Sequence, residues 1–187
     1  MAFKSVIIVF LFLLLAKFSF ADQPPCWCKF EIESKNQKFL AVVDRVAEDS
    51  LMEPWLAKWT LTVYETKKQT KKVLWTTLYN YSGYADGELS EDGKYFVYTE
   101  YWFYPEVPLL RIYKNGNYTT SDSLTGLSFK IPLDKLKQTV SHWLWLSDLN
   151  NSSFKTNSDG NVIYIIRTID GKIHFIDLDK GCFIKSD

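Results

Sequence analysis

Four dipeptides constrain this chain more than anything else in it: Asp92-Gly93, Asn115-Gly116, Asp159-Gly160 and Asp170-Gly171. Each stands between runs rich in aromatic and β-branched residues. A tight hairpin turn needs residues that accept positive φ, which Gly does freely and Asn or Asp do better than most. Segments joined in this way pair antiparallel. The runs are Lys38–Val46, Trp59–Thr66, Lys72–Tyr79, Lys94–Phe103, Leu109–Tyr113, Val162–Thr168 and Lys172–Leu178. In the second, Trp59, Leu61 and Val63 share one face and Thr60, Thr62 and Tyr64 the other, the period of a strand. The chain therefore reads as all-β, built of antiparallel meanders. One segment departs from this. Leu133, Leu136, Val140, Trp143 and Leu144 follow Pro132 at helical spacing, which predicts one short helix near 133–141.

Aligning the turns exposes an internal repeat. A strand, a Ser/Asp-type turn and a second strand occur at Ile32–Phe39, at Glu88–Tyr95 and at Lys155–Val162. A later apolar strand ending in a turn occurs at Leu61–Glu65, Leu110–Gly116 and Phe175–Gly181. These mark about three degenerate copies, near 28–80, 84–125 and 150–187, each a meander of about four strands. The middle copy reads Leu89-Ser90-Glu91-Asp92-Gly93-Lys94-Tyr95-Phe96-Val97-Tyr98, with Leu109-Leu110-Arg111-Ile112-Tyr113-Lys114-Asn115-Gly116 following. It resembles the S-x-D-G-K repeat of bacterial WD-like and TolB-type propellers, and short exported bacterial proteins that carry such repeats. The first copy has Asn36-Gln37 in place of Asp-Gly, and the third has Asn157 in place of Ser. The resemblance implies propeller-like architecture, with the repeat residues making turns and packing sheets rather than catalysing. Three copies fall short of the four to eight blades that close a ring. A partial propeller-like stack, completion by a second chain, and a sandwich-like packing of the same meanders all remain open.

The chain opens with a leader. Lys4 precedes the apolar run Val6–Ala16, and Ser19 and Ala21 stand at the small positions of a cleavage site before Asp22. That order of parts is a signal peptide over 1–21, leaving a single β-rich domain over 22–187, exported to the periplasm or the exterior. No later apolar run reaches membrane length. Lys4 and Lys17 are two of 22 basic residues set against 22 acidic ones, so the remaining chain is slightly acidic. It lacks the basic surplus that nucleic acid demands.

Three cysteines are present, Cys26, Cys28 and Cys182. In an oxidising compartment a bond from Cys182 to Cys26 or Cys28 is expected, because the first and third copies must meet if the stack closes. It would close a loop of about 155 residues and stabilise by up to ~5 kcal/mol. A metal shared by Cys26 and Cys28 is the rival use of that spacing. A zinc site needs about four ligands, and only Cys182, His142 and His174 could join the pair, so the disulfide is the favoured use and neither a metal nor a cofactor is expected.

The candidate binding residues are Trp102, Phe103 and Tyr104, at the end of the aromatic run Tyr95–Tyr104. Pro105 and Pro108 disfavour a regular interior strand there, so these rings are expected at the surface, ready to stack on a partner. Tyr95–Tyr101 reads instead as a strand buried on both faces. His142 is the one histidine placed for catalysis, beside the end of the expected helix, whereas His174 reads as a solvent-facing strand position. No nucleophile-elbow, zinc-protease, phosphate-loop or dinucleotide motif occurs. Glu31/Glu33 and Asp177/Asp179 read as acids on the wet faces of strands, and Lys67–Lys72 as a solvated hairpin. Sequons at Asn80, Asn117, Asn150 and Asn151 matter only in a host that glycosylates. The function expected is a non-enzymatic interaction module that binds a protein or peptide at the cell envelope. A secreted hydrolase using clustered acids or His142, and a carrier of a small apolar ligand, are the alternatives.

Overall fold

The computed structural model describes residues 25–67, 70–100, 102–103, 108–120, 127, 129–136, 143–147 and 152–184. Their regular structure is almost all strand. β1 is Phe30–Glu33, β2 Phe39–Arg45, β3 Trp59–Lys67, β4 Thr70–Tyr79, β5 Glu88–Leu89, β6 Tyr95–Thr99 and β7 Trp102–Phe103. β8 is Leu110–Lys114, β9 Asn117–Thr120, β10 Trp143–Leu144, β11 Ser153–Thr156, β12 Val162–Arg167, β13 Ile173–Asp177 and β14 Cys182–Ile184. They form three four-stranded antiparallel sheets, ordered β1-β2-β3-β4, β5-β6-β8-β9 and β11-β12-β13-β14, and β7 pairs with β10 in a small fourth sheet. The all-β expectation holds. Where a helix was expected there is a 3-10 turn at Leu133–Lys135, and 137–142 lie outside the described residues, as do 1–24. Among the described residues no helix is long and apolar enough to cross a membrane.

The middle sheet organises the rest. In β6 and β8 the run of buried positions has no alternation: Tyr95, Phe96, Val97 and Tyr98, and Leu110, Arg111, Ile112 and Tyr113, are all buried. Successive side chains of a strand point to opposite faces. Phe96, Tyr98 and Tyr113 therefore pack with Val43, Leu61, Val63 and Trp75 of the first sheet. Tyr95, Val97 and Ile112 pack with Tyr164, Ile166, Ile176 and Phe183 of the third. In β3 the expected face is the buried one, with Trp59, Leu61 and Val63 inward.

The turns explain the repeat. In Ser90-Glu91-Asp92-Gly93-Lys94-Tyr95, the Tyr95 N–H donates to Ser90 Oγ at 2.9 Å, and that hydroxyl donates to Asp92 Oδ1 at 2.8 Å. Asp92 Oδ1 also accepts the Lys94 N–H, and Gly93 takes φ +69°. Ser34 and Asn36 make the same set, with Gln37 at φ +59° in the glycine position. A further such turn, Thr168-Ile169-Asp170-Gly171-Lys172, joins β12 to β13: Thr168 Oγ1 donates to Asp170 Oδ1 at 2.6 Å, and the same oxygen accepts the Lys172 N–H at 3.2 Å. It has the Ser90 turn's spacing with Thr in place of Ser, and its hairpin closes one residue earlier, Thr168 N–H donating to Lys172 O where Ser90 N–H donates to Tyr95 O.

The cysteines depart from expectation. Cys26 and Cys28 are bonded to each other, Cα to Cα 5.3 Å, and Cys182 is exposed and free. The long-range bond fails because the first segment is tied locally. The N–H groups of Cys26 and Trp27 both donate to Gly83 O, at 2.8 and 3.3 Å. In the chain-entropy model, a loop of three residues stabilises by only about 1.5 kcal/mol.

Burial alone raises the Asp92 carboxyl, but its hydrogen bonds from Ser90 and from Lys94 outweigh that and hold it below the ordinary carboxylate value. The turn's contribution is thus complete above the unfolded pKa and falls as pH drops through the folded one. Asp92→Asn is expected to cost under about 1 kcal/mol at pH 7, since Asn36 makes the same bonds, and to flatten the acid limb of stability. Asp92→Ala should cost about 1–2 kcal/mol. Urea unfolding of both variants from pH 3 to 7 checks this; equal losses at pH 7 would contradict it.

Candidate functional site

Trp102 is buried, at 5% exposure, which corrects the expected aromatic platform. The reason is pairing. β10 lies against β7 with Leu144 opposite Trp102, so Trp102 leaves the middle sheet only to be covered in a second, two-stranded one. The Phe103 side chain and Tyr104 lie outside the described residues, as does His142. Tyr95–Tyr98 are buried, as a strand covered on both faces requires. His174 is buried, edge-on to Phe183 at 5.6 Å. It lies two residues before Ile176 on the inward face of β13, so strand parity turns it inward. Glu31 and Glu33 are exposed on the edge strand β1. Asp177 Oδ1 accepts the N–H groups of Asp179 and Lys180 in a turn. Lys67 and Thr70 end and begin the paired strands β3 and β4.

The exposed apolar surface stands elsewhere, on the segment between β2 and β3. Leu51 is 100% exposed, Leu56 63%, Trp55 58% and Met52 44%. Surface hydrophobics scattered singly are ordinary; four large ones within six residues are not. Their backbone is held closely. The Val46 N–H donates to Lys58 O at 2.9 Å across the neck of the loop, and the Lys58 N–H donates to Asp49 Oδ2 at 2.7 Å. Arg45 Nη1 donates to Ser50 O and Met52 O, at 3.1 and 3.2 Å, while its guanidinium lies over the Trp59 ring. Trp59 Nε1 donates to Pro54 O at 3.1 Å, and the N–H groups of Leu56 and Ala57 both donate to Glu53 O. The braces occupy the loop's interior side and leave its apolar side chains in solvent. The sequence carried a signal for this: Leu51-Met52 and Trp55-Leu56 belong to no alternating run, and Pro54 separates them.

A second feature is a cleft between the middle and third sheets, lined by Asp86, Gly87, Glu88, Thr99, Tyr164 and Arg167 among others. Tyr164 donates to Glu88 Oε1 at 2.8 Å and lies 3.1 Å from Thr99 Oγ1. Burial raises the carboxyl of Asp86, against the hydrogen bond from Gly87 N–H, and raises that of Glu88, against the bond from Tyr164. Among the described residues, no three His, Cys, Asp or Glu groups stand together as metal ligands would.

The two tryptophans should behave oppositely. Trp102→Ala is expected to cost about 3–5 kcal/mol, as other large core truncations do, and Trp55→Ala under about 1 kcal/mol. Chemical unfolding of each variant measures both; comparable losses would mean the burial of these rings is misassigned. Compared with models of known protein families and with curated proteins, the chain matches none.

Proposed function

We propose that this chain is an exported interaction module that binds a protein or peptide through the Leu51–Leu56 loop. The observation that carries the reading is the combination of four exposed large apolar side chains and tight backbone bracing in that loop. Large apolar side chains lose water when a partner covers them, which favours association. A backbone already held in place loses little entropy on binding. Trp and Leu on such a scaffold supply what interface centres use: a few large anchors in a desolvated patch. The meander architecture supports the same reading, because rigid sheets hold loops in fixed positions. Similarity to TolB-type propeller-repeat proteins, and placement at the cell envelope, belong to this proposal.

The test uses two variants with matched chemistry. In Trp55→Ala/Leu56→Ser the loop anchors are removed. In Leu78→Ser an equally exposed leucine of β4, at 64%, is removed from a sheet face. A partner captured by the wild-type chain from an envelope fraction, then purified, should bind the first variant at least about 30-fold more weakly, the effect of losing a hot spot worth 2 kcal/mol or more. It should bind the second as it binds the wild type. Equal affinity for all three would remove the loop from the function.

One observation favours a second reading. Asp86 and Glu88 line one cleft with carboxyls both raised by burial, the direction in which burial tunes a carboxyl toward general-acid work in a hydrolase. A panel of chromogenic glycoside and ester substrates, compared with Glu88→Gln, separates this reading from the first.

A further inference from the structure

We propose that Cys26-Trp27-Cys28 is a thiol–disulfide exchange site that accepts two electrons from a dithiol substrate. Three observations converge on it. Both cysteines are exposed residues, and Cys26 Sγ is the one in contact with the Tyr81 hydroxyl, at 3.8 Å, so a substrate thiolate can approach the bond without unfolding the chain. The bond spans a single residue, and a loop that short takes little entropy from the unfolded state. By linkage, the fold then protects the bond as little as the bond supports the fold. Finally, Trp27 inside the loop has φ +46°, a left-handed conformation that costs a non-glycine residue. Opening the bond relieves the closure that holds Trp27 there, which favours the dithiol. Exposed bonds on strained backbone belong to the labile, catalytic or regulatory class rather than the structural one.

The surroundings hold the pair in place. Cys26 and Trp27 hydrogen-bond to Gly83 O, the Trp27 ring stands edge-on to Tyr81 at 5.4 Å, and Tyr81 donates to Cys28 O at 3.0 Å. Gly83 has φ +90°, and a Cβ there would strike Pro25 and the Trp27 indole, so glycine lets the segment dock. These contacts do not depend on the sulfur–sulfur bond, and they keep the two cysteines together after it opens.

The step balances with a dithiol as the named co-reactant. One substrate thiolate attacks a sulfur of the bond, which breaks; the other cysteine leaves as thiolate and takes a proton. The second substrate thiolate attacks the mixed disulfide and displaces the remaining cysteine, which is protonated in turn. The substrate leaves as a disulfide, oxidised by two electrons, and Cys26 and Cys28 are left as thiols.

The experiment uses the full chain carrying Cys182→Ser, so that thiol counts report on the pair alone. Reduction by dithiothreitol is followed by alkylation and intact mass, in buffer and in urea. The expected rates agree within about threefold, and the reduced chain keeps its β circular-dichroism spectrum. A bond reduced at least about a hundredfold more slowly in the folded chain, or a chain that unfolds on reduction, would overturn the proposal. A reduced synthetic dithiol peptide then serves as substrate. About one peptide disulfide should form per chain, and none with Cys26→Ser/Cys28→Ser/Cys182→Ser; a peptide left reduced by the oxidised chain would also overturn it.

Discussion

The fold rests on two strands buried on both sides. β6 and β8 give alternate side chains to opposite neighbours, so neither outer sheet has a complete core without the middle one. A strand of this kind cannot slip by one residue, because slippage would exchange the two sets of contacts wholesale. It must also be apolar at every position, which is why the run Tyr95–Tyr98 lacks the alternation seen in β3. Of the two charged residues on β8, Lys114 ends the strand half-buried and only Arg111 stands inside it. Arg111 is buried, reaches Glu100 Oε2 at 3.4 Å and lies over the Tyr98 ring at 4.9 Å. An unpaired guanidinium could not occupy that site, since breaking a buried pair typically costs 3–5 kcal/mol.

Tyrosine solves the polar half of the packing problem. Its ring fills a sheet interface and its hydroxyl reaches the polar groups at the margin. Tyr98 accepts from Ser82 and donates to Glu100. Tyr113 accepts the Asn80 N–H at 2.9 Å, and Tyr95 donates to Asp179 at 2.6 Å. All but the Tyr98–Glu100 bond join residues at least 16 apart in the chain, so the aromatic content that marks the composition also helps set how the sheets sit on one another. Burial first, and then the neighbouring Glu100 charge, raise the Tyr98 hydroxyl well above its ordinary value; burial does the same for Tyr113. Both therefore stay neutral donors and acceptors across the physiological range.

Strands and turns were legible in the sequence because they are local. Positive φ, β-branching and strict alternation act within a few residues, and the Ser90 and Ser34 turns follow from side chains two to five positions apart. Burial of a given aromatic is not local. Trp102 and Trp55 each stand near proline, and composition treats them alike. Only the pairing of β7 with β10 buries the first, and only the braced β2–β3 loop exposes the second. His174 was misread for a related reason: its exposure depends on strand parity fixed by Ile176, not on its own polarity. The cysteine reading failed because it assumed that chain ends meet, whereas the first segment is held by Gly83 and Tyr81.

The reducible corner and the apolar loop stand at the two ends of one packed row. Trp27 lies edge-on to Tyr81 at 5.4 Å, Tyr81 to Trp59 at 4.8 Å, and the Trp59 indole donates to Pro54 O inside the loop. Packing alone does not couple two sites; coupling needs an element with two arrangements that both sites bias. Trp27 is the residue in this row whose backbone is constrained by a bond that can open. The Trp59 ring is the one that braces the loop, and it is buried at 4% exposure. Tyr81, which donates to Cys28 O at one side and packs on Trp59 at the other, is the ring that joins the two ends. The row also joins the middle sheet, because Tyr81 packs on Tyr79 and Tyr79 on Phe96 and Tyr113, so the Cys26–Cys28 corner, the loop's brace and the strands buried on both sides share one core.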